Sequence, residues 1–374
     1  MSSMTSELIA PLEDAYRRIA PCFRRRETRA RSRRYLAGLL SRTERKNGWQ
    51  LAEVSGERHP RGVQRLLDEA EWDAEEVRDE VRGYVVDHVG QPNGILIVDE
   101  TGFVKKGAKS AGVARQYSGT AGRRENQQIG VFLAYASEQQ GCAFIDRELY
   151  VPQEWFDAPA RCLEAGIPLT RAFATKPQLA QQMLARAFAA AVPARWVVGD
   201  CIYGAEDLRH WLEAQEQAYL FAVTSTHAVW EQGEQIGAAD LVARHPELGW
   251  VRWSAGEGSQ GPRRYDWAWM RLPYTSAAGM AQWLLIRRSL SLPEEYAYYR
   301  VYGPEATTLS ELIEVAGQRW QIEVAFEDAK GEVGLDQYEV RLWQAWYRHI
   351  TLAMLAHAAL VVARSATVAS KRGA

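Results

Sequence analysis

Long hydrophobic runs are missing from this chain of 374 residues. The longest nearly apolar stretch, Leu352 to Ala363, is 12 residues and contains His357, against the roughly 20 that a bilayer-crossing helix needs, so no transmembrane helix and no membrane partner are expected. Cysteine is scarce. Cys22, Cys142, Cys162 and Cys201 lie far apart with no CxxC pair, which argues against a disulfide framework or a structural zinc site and predicts small buried thiols in a reducing cytoplasm. The first 20 residues lack the apolar stretch of a signal peptide. Compositional bias is absent too: 47% hydrophobic and 25% charged residues describe an ordinary folded chain, and the length accommodates two or three domains of roughly 150 residues.

Net charge is also small, at -2, but its distribution is uneven. Arg17 to Lys46 holds twelve Arg or Lys against Glu27 and Glu44, a local charge of +10 that leaves -12 for the remainder. The block is interrupted by Phe23, Tyr35, Leu36, Leu39 and Leu40, a pattern for a helix able to neutralise phosphates. Nucleic acid is therefore the leading partner, with Arg24, Arg25 and Arg26 as candidate contacts. The competing reading is a basic helix packed on an acidic face of the same protein.

Apolar spacing makes residues 1–90 all helical, with breaks at Asn47-Gly48 and His59-Pro60. After VGQPNG the pattern changes. GILIVDE, QQIGVFLAYAS and GCAFIDRELYV read as strands, KPQLAQQMLARAFAAAV as a helix, RWVVGD as a strand, AEDLRHWLEAQEQ as a helix and AYLFAVTS as a strand. Strands alternating with helices indicate an α/β core, assigned to 91–225 and 282–340. Between them, 226–281 reads as a mainly β insertion containing Trp230, Trp250, Trp253, Trp267 and Trp269. The segment 341–374 is a last helix and a tail, loose after Ala366.

Two apolar strands end in aspartate, ILIVDETGF at Asp99 and RWVVGDCIYG at Asp200, where a parallel sheet presents side chains to a ligand cleft. Two close carboxylates need a compensating cation, most simply a divalent metal. Either aspartate alone also fits a turn or helix cap. On a helical wheel of 308–330, Leu309, Leu312, Ile313, Ala316, Trp320 and Val324 form an apolar stripe and Glu311, Glu314, Gln318, Gln321 and Asp328 face water. Arg319, Glu323 and Lys330 fall inside the buried arc, where charges require partners. Between the first two strands, Gly102 to Arg124 carries Lys105, Lys106, Lys109, Arg115, Arg123 and Arg124 with no acidic residue, a flexible basic loop suited to a polyanion.

The stretches VDETGFVKKG, GVARQYSG, GDCIYG and RWQIEVAFEDAKGEVGLDQYEVR, with ERKNGWQLAE and GVQRLL near the N-terminus, resemble the DDE-superfamily transposases of bacterial insertion sequences, in the group numbered seven hundred and one. The likeness covers about residues 15–362. It implies an RNase H-like catalytic core whose acidic metal ligands are Asp99, Asp200 and Glu323. Related transposases carry a Tyr, Arg, Glu, Lys signature, matched here by Arg319, Glu323 and Lys330 with Ala316 at the tyrosine position. The second motif also departs, reading Cys201-Ile202 where relatives often have Ala-Gly.

The resemblance implies two Mg²⁺ ions, with Mn²⁺ able to substitute, and cleavage then strand transfer at terminal inverted repeats. It also implies double-stranded DNA as partner, both transposon ends and target, a homodimer in the DNA complex, and a nucleoid-associated location in a bacterial cytoplasm. Arg319, Lys330, Lys105 and Lys106 would hold phosphates, and Trp267 or Trp269 would stack on an unpaired base. The alternative is a domesticated DNA-binding regulator that keeps the fold. A glycoside hydrolase with paired carboxylates fits poorly, because a neutral sugar has no use for the basic segments.

Overall fold

The computed structural model describes residues 6–119, 122–138, 140–258, 261–273 and 279–372. Positions 259–260 and 274–278 of the expected β insertion lie outside them. The chain opens with helices α1 (Ser6–Ile19), α2 (Arg26–Leu39), α3 (Gly48–Val54), α4 (Arg61–Asp68) and α5 (Ala74–Val89). The expected breaks are helix starts: Asn47 caps α3 by accepting from the Gln50 amide at 3.0 Å, and Pro60 precedes α4. Strands β1 (Ile95–Val104), β2 (Ala114–Ser118), β3 (Arg123–Ser137) and β4 (Gly141–Tyr150) follow, then α6 (Gln153–Phe156), α7 (Pro159–Glu164) and α8 (Lys176–Ala189).

Next come β5 (Trp196–Gly199), α9 (Glu206–Ala214), β6 (Ala218–Val223), β7 (Ala228–Glu231), β8 (Glu234–Gly237), α10 (Ala238–Arg244), β9 (Val251–Gly258) and β10 (Gly261–Leu272). The chain ends with β11 (Met280–Arg288), β12 (Tyr296–Pro304), α11 (Leu309–Gln318), α12 (Trp320–Val333) and α13 (Trp343–Arg372). This is the α/β class expected, with an N-terminal helical region. The tail is not loose at Ala366, since α13 continues to Arg372.

By its contacts the chain forms two compact units, one within 1–91, 100–192 and 322–374 and the other within 92–99 and 193–321. In the first, β3 lies between β2 and the second half of β1, and β4 pairs with the second half of β3. The core helix is α13, against which α1, α2, α4, α5 and β4 pack. Its length and composition would let it cross a membrane, which the 12-residue run did not anticipate. Most of it is buried in the unit, including Arg348, His349, Thr351 and His357.

Strand β4 buries three successive charged residues, Asp146, Arg147 and Glu148. They are tolerated because they are paired. Arg186 of α8 reaches Asp146 and Glu148 at 2.8 Å each, Arg171 reaches Glu148 at 3.0 Å, and Arg147 reaches Glu75 of α5 at 2.8 Å.

In the second unit the order is β1, β5, β6, β12, β11, β10, β9. The first three run parallel and β12 pairs antiparallel to β6, so the sheet is mixed. The tryptophan-rich strands β9 and β10 extend this sheet, and only β7 and β8 form a separate hairpin. Helix α10, which the sequence pattern did not reveal, covers that hairpin through Leu241 against Val229 and Ile236.

The single helix read over 308–330 is two. Helix α11 buries Leu312, Ile313, Val315 and Gly317, whereas α12 buries Ile322, Ala325, Phe326, Ala329 and Val333. The buried face rotates across Arg319, so Trp320 and Val324 are exposed, not members of one apolar stripe. Glu311, expected in water, is half-buried and accepts from the Trp196 indole at 3.0 Å.

Candidate active site

Within the second unit, β1 and β5 pair in parallel register from Ile95 with Trp196 to Val98 with Gly199. The next residues are Asp99 and Asp200, so Asp200 follows the end of β5 as expected, whereas Asp99 stands in the middle of β1, at the point where its pairing with β5 stops and the strand runs on to Val104. The turn after β5 is built for this. A Cβ on Gly199 would lie 3.1 Å from Tyr203 Cβ, and one on Gly204 would lie 3.0 Å from the Ala222 carbonyl. Asp200 Oδ1 accepts from the Ile202 amide at 2.9 Å, an Asx turn that fixes its side chain. Cys201 is exposed there, a correction to its expected burial; Cys142 and Cys162 are buried, Cys22 is half-buried, and all four thiols are free.

Arg319, at the end of α11, brings Nη1 to 3.7 Å from Asp99 Oδ2. The inward-pointing arginine of the helical wheel therefore has a carboxylate partner. Its position depends on a residue that the sequence did not single out. Arg263 of β10 donates through Nη2 to the Ala255 carbonyl at 2.6 Å and the Gly317 carbonyl at 3.0 Å, joining β9 to the end of α11.

Within the first unit, Glu323 is half-buried on the first turn of α12. Lys330, two turns on, donates to Thr101 Oγ1 at 2.7 Å, and burial lowers its pKa. Glu100 pairs with Lys176 at 2.6 Å. Lys105 is not the free surface clamp expected: its ammonium lies 3.4 Å from the Tyr338 ring centroid and donates to the Tyr338 carbonyl at 3.1 Å. Lys106 is exposed. The expected basic loop is largely turn and strand, with Lys109 paired to Glu164 and Arg123 to Glu125.

Much of the +10 block is neutralised in place, as the competing reading held. Arg18 pairs with Glu80 and Asp87, Arg33 with Glu13, Arg31 and Arg34 with Glu57, and Arg25 with Glu71. Arg24 and Arg26 are exposed, with no ion pair among the described residues.

The base-stacking expectation fails for Trp267. It is 1% exposed, one face stacks with Tyr299 and its indole donates to the Trp253 carbonyl, so it fills the core of the sheet. Trp269 is half-buried and stacks on Trp283, while Trp230 and Trp253 are the exposed tryptophans of this region.

Two carboxylates on neighbouring parallel strands beside an arginine fit part of the donor set of a metal-assisted nuclease, and the comparisons agree. Residues 18–247 match the DDE superfamily endonuclease family, and residues 169–358 match the transposase DDE domain. The chain belongs to the DDE superfamily. A relative from Microchaete diplosiphon, described as a probable transposase for insertion sequence element IS701, is 24% identical over 311 residues, which cover 81% of this chain and 74% of that protein.

This DDE protein is thus a DNA-cleaving enzyme of the transposase type. The superfamily uses divalent metal, and Asp99 and Asp200 fit that chemistry as hard oxygen donors. Among the described residues no group of three or more His, Cys, Asp and Glu is gathered closely enough to hold an ion, so these two supply only part of a ligand set.

Proposed function

We propose that this protein is the transposase of an insertion sequence: it binds the terminal inverted repeats of its element, nicks them and joins the freed ends to target DNA. The observation that carries the proposal is the register that puts Asp99 and Asp200 side by side with Arg319 at 3.7 Å. Glu323 supports it by position, one helical turn beyond Arg319 in sequence. Asp99, Asp200 and Glu323 would hold two Mg²⁺ ions, with Mn²⁺ as a substitute, and bound metal supplies charge stabilisation for the attacking and leaving oxygens.

The residues of the chain do the positioning. Arg319 balances the charge of Asp99 and adds positive charge where a phosphate would lie. Lys330 anchors the strand that carries Asp99 by holding Thr101. In the first step a water oxygen attacks phosphorus and the bond to the 3' oxygen breaks, leaving a 3'-hydroxyl. In the second, that hydroxyl attacks a target phosphodiester and displaces another 3' oxygen. Pairing two ends calls for at least a homodimer on the DNA, acting in the cytoplasm beside the chromosome. The helical region with Arg24 and Arg26 contributes to end binding.

The test is nicking of a labelled duplex carrying the element's terminal repeats, with Mg²⁺ or EDTA, for wild type and Glu323→Ala. Mg²⁺-dependent nicking lost in the variant is expected. Binding without nicking by the wild type would favour the domesticated regulator, and full nicking by the variant would remove Glu323 from the ligand set.

A further inference from the structure

Three segments that carry the family resemblance, and that the carboxylate chemistry leaves unused, meet in the first unit. Arg45 and Asn47 from ERKNGWQLAE, the turn from Val104 to Ser110, and the segment from Asp336 to Arg341 line one cleft of about 930 Å³. Five cations face it: Arg45, Lys105, Lys106, Lys109 and Arg341. Two carboxylates, Asp336 and Glu339, oppose them, and Lys109 is engaged by Glu164. Arg45, Lys106 and Arg341 are exposed, with no ion pair among the described residues. An excess of cations on a chain of net charge -2 is a local investment that folding alone does not require.

The walls are tied together. The Ala111 amide donates to the Arg341 carbonyl at 2.9 Å, the Lys46 amide to Gln337 Oε1 at 2.6 Å, and the Lys105 amide to the Asn126 carbonyl at 2.8 Å. Asn126 Nδ2 returns to the carbonyls of Lys105 and Gly107 at 2.7 and 3.1 Å, which fixes the turn that presents Lys106. Tyr338, fully buried, donates to Gln128 and accepts from Trp346, so the ring beneath the Lys105 ammonium is immobilised. A cleft held this way keeps its cations in place before a ligand arrives, which lowers the ordering cost of binding.

We propose that this cleft holds the phosphodiester backbone of a DNA strand, as a contact additional to the arginines at 24–26. The proposal rests on the transposase reading and says which surface of the first unit grips the nucleic acid. Backbone binding by dispersed Lys and Arg is independent of sequence and releases counterions. Burial lowers Lys105 to about 8, so its ammonium is less well solvated than a surface lysine's and gains from an anion in the cleft.

The experiment is fluorescence anisotropy of a labelled duplex of arbitrary sequence, titrated with full-length protein in EDTA over a range of salt. The double variant Lys106→Glu/Arg341→Glu should bind at least tenfold more weakly, with a log-log salt slope smaller by about 2 and an unchanged thermal midpoint. Arg264→Glu, an exposed cation of β10 outside the cleft, should stay within about twofold. Wild-type affinity and slope in the double variant would overturn the proposal while leaving the transposase reading intact. If the wild type binds no DNA at all, that reading falls as well. A further arm adds dAMP or inorganic phosphate as competitor: displacement at the same phosphate concentration as an unlabelled oligonucleotide would make the cleft a mononucleotide or phosphate pocket and reject a strand site.

Discussion

Arg263 holds the Gly317 carbonyl at 3.0 Å, and that carbonyl is one of the last four of α11, which have no partner inside a helix ending at Gln318. A cation is favoured at a helix C-terminus, so this guanidinium both caps the helix and ties it to Ala255 on β9. The close approach also explains the glycine, since a Cβ at Gly317 would lie 2.2 Å from the Ala255 carbonyl oxygen. Two residues beyond the cap stands Arg319, facing Asp99.

Arg263 is accordingly a positioning residue. Arg263→Ala should cost about 1.5–3 kcal/mol of stability, the range for hydrogen bonds to a charged group. It should also reduce nicking about tenfold, equivalent to about 1.4 kcal/mol in the barrier, with DNA binding retained. Arg263→Lys, which can reach one carbonyl, should lie between. Nicking rates measured well below the thermal midpoint decide the matter: an Arg263→Ala enzyme that nicks at the wild-type rate would reduce the clamp to packing.

Asp200 has two duties that substitution can separate. Its Oδ1 accepts from the Ile202 amide, a bond that an asparagine oxygen can also make, whereas its charge is what a metal requires. Asp200→Asn should therefore keep stability within about 0.5 kcal/mol and lose nicking beyond detection, while Asp200→Ala loses the turn as well. Calorimetry beside the nicking assay reads both. Near-normal nicking by the asparagine variant would exclude Asp200 as a metal ligand.

The two aspartates were legible because each follows an apolar run, but only Asp200 comes at a strand end; β1 runs on past Asp99 to Val104, which the four apolar residues before it do not announce. The helix after β12 was only half legible. One wheel over 308–330 found Arg319 and its partner requirement but placed Trp320 and Val324 in the core, because the wheel assumes an unbroken helix and the cap at Gly317 is supplied by Arg263, 54 residues earlier. The basic N-terminal block misled for a related reason. Its carboxylates come largely from other elements, as in Arg18 with Asp87 of α5 and Arg31 with Glu57 of the turn after α3, and such pairs cannot be read from local charge. Trp267 looked like a stacking platform, yet Tyr299 of β12 stacks on its ring and only 1% of it is exposed.

The buried charges on β4 make a separate stability prediction. Asp146 is 1% exposed and is held by Arg186 at 2.8 Å and approached by Arg78 at 3.6 Å, and these carboxylates raise the pKa of Arg186. Asp146→Leu leaves those guanidinium groups without compensation and should cost about 3–5 kcal/mol. The double variant Asp146→Leu/Arg186→Met should recover a large part of the loss, because both charges leave together. Urea unfolding of the single and double variants measures the coupling. A single variant within about 1 kcal/mol of wild type would show that water or rearrangement satisfies the site.

The last prediction concerns acid. His357 is buried in α13 against Phe144, and neither ring nitrogen has a hydrogen-bond partner among the described residues. Burial lowers its pKa from 6.5 to about 4; nearby Asp328 opposes that shift and Arg364, paired with Asp328 at 2.5 Å, adds to it. The folded chain thus keeps His357 neutral where the unfolded chain protonates it. Stability should be fully present above about pH 6.5 and should fall as pH drops towards 4, where the folded residue begins to take up the proton too and the slope ends. One such histidine contributes a loss on the order of 3 kcal/mol over that window. His357→Phe should remove this part of the slope and be at least as stable at pH 7, since it replaces two unsatisfied nitrogens with carbon. Thermal midpoints from pH 7 to pH 4 would show it, and a variant with the wild-type slope would assign the acid sensitivity to other groups.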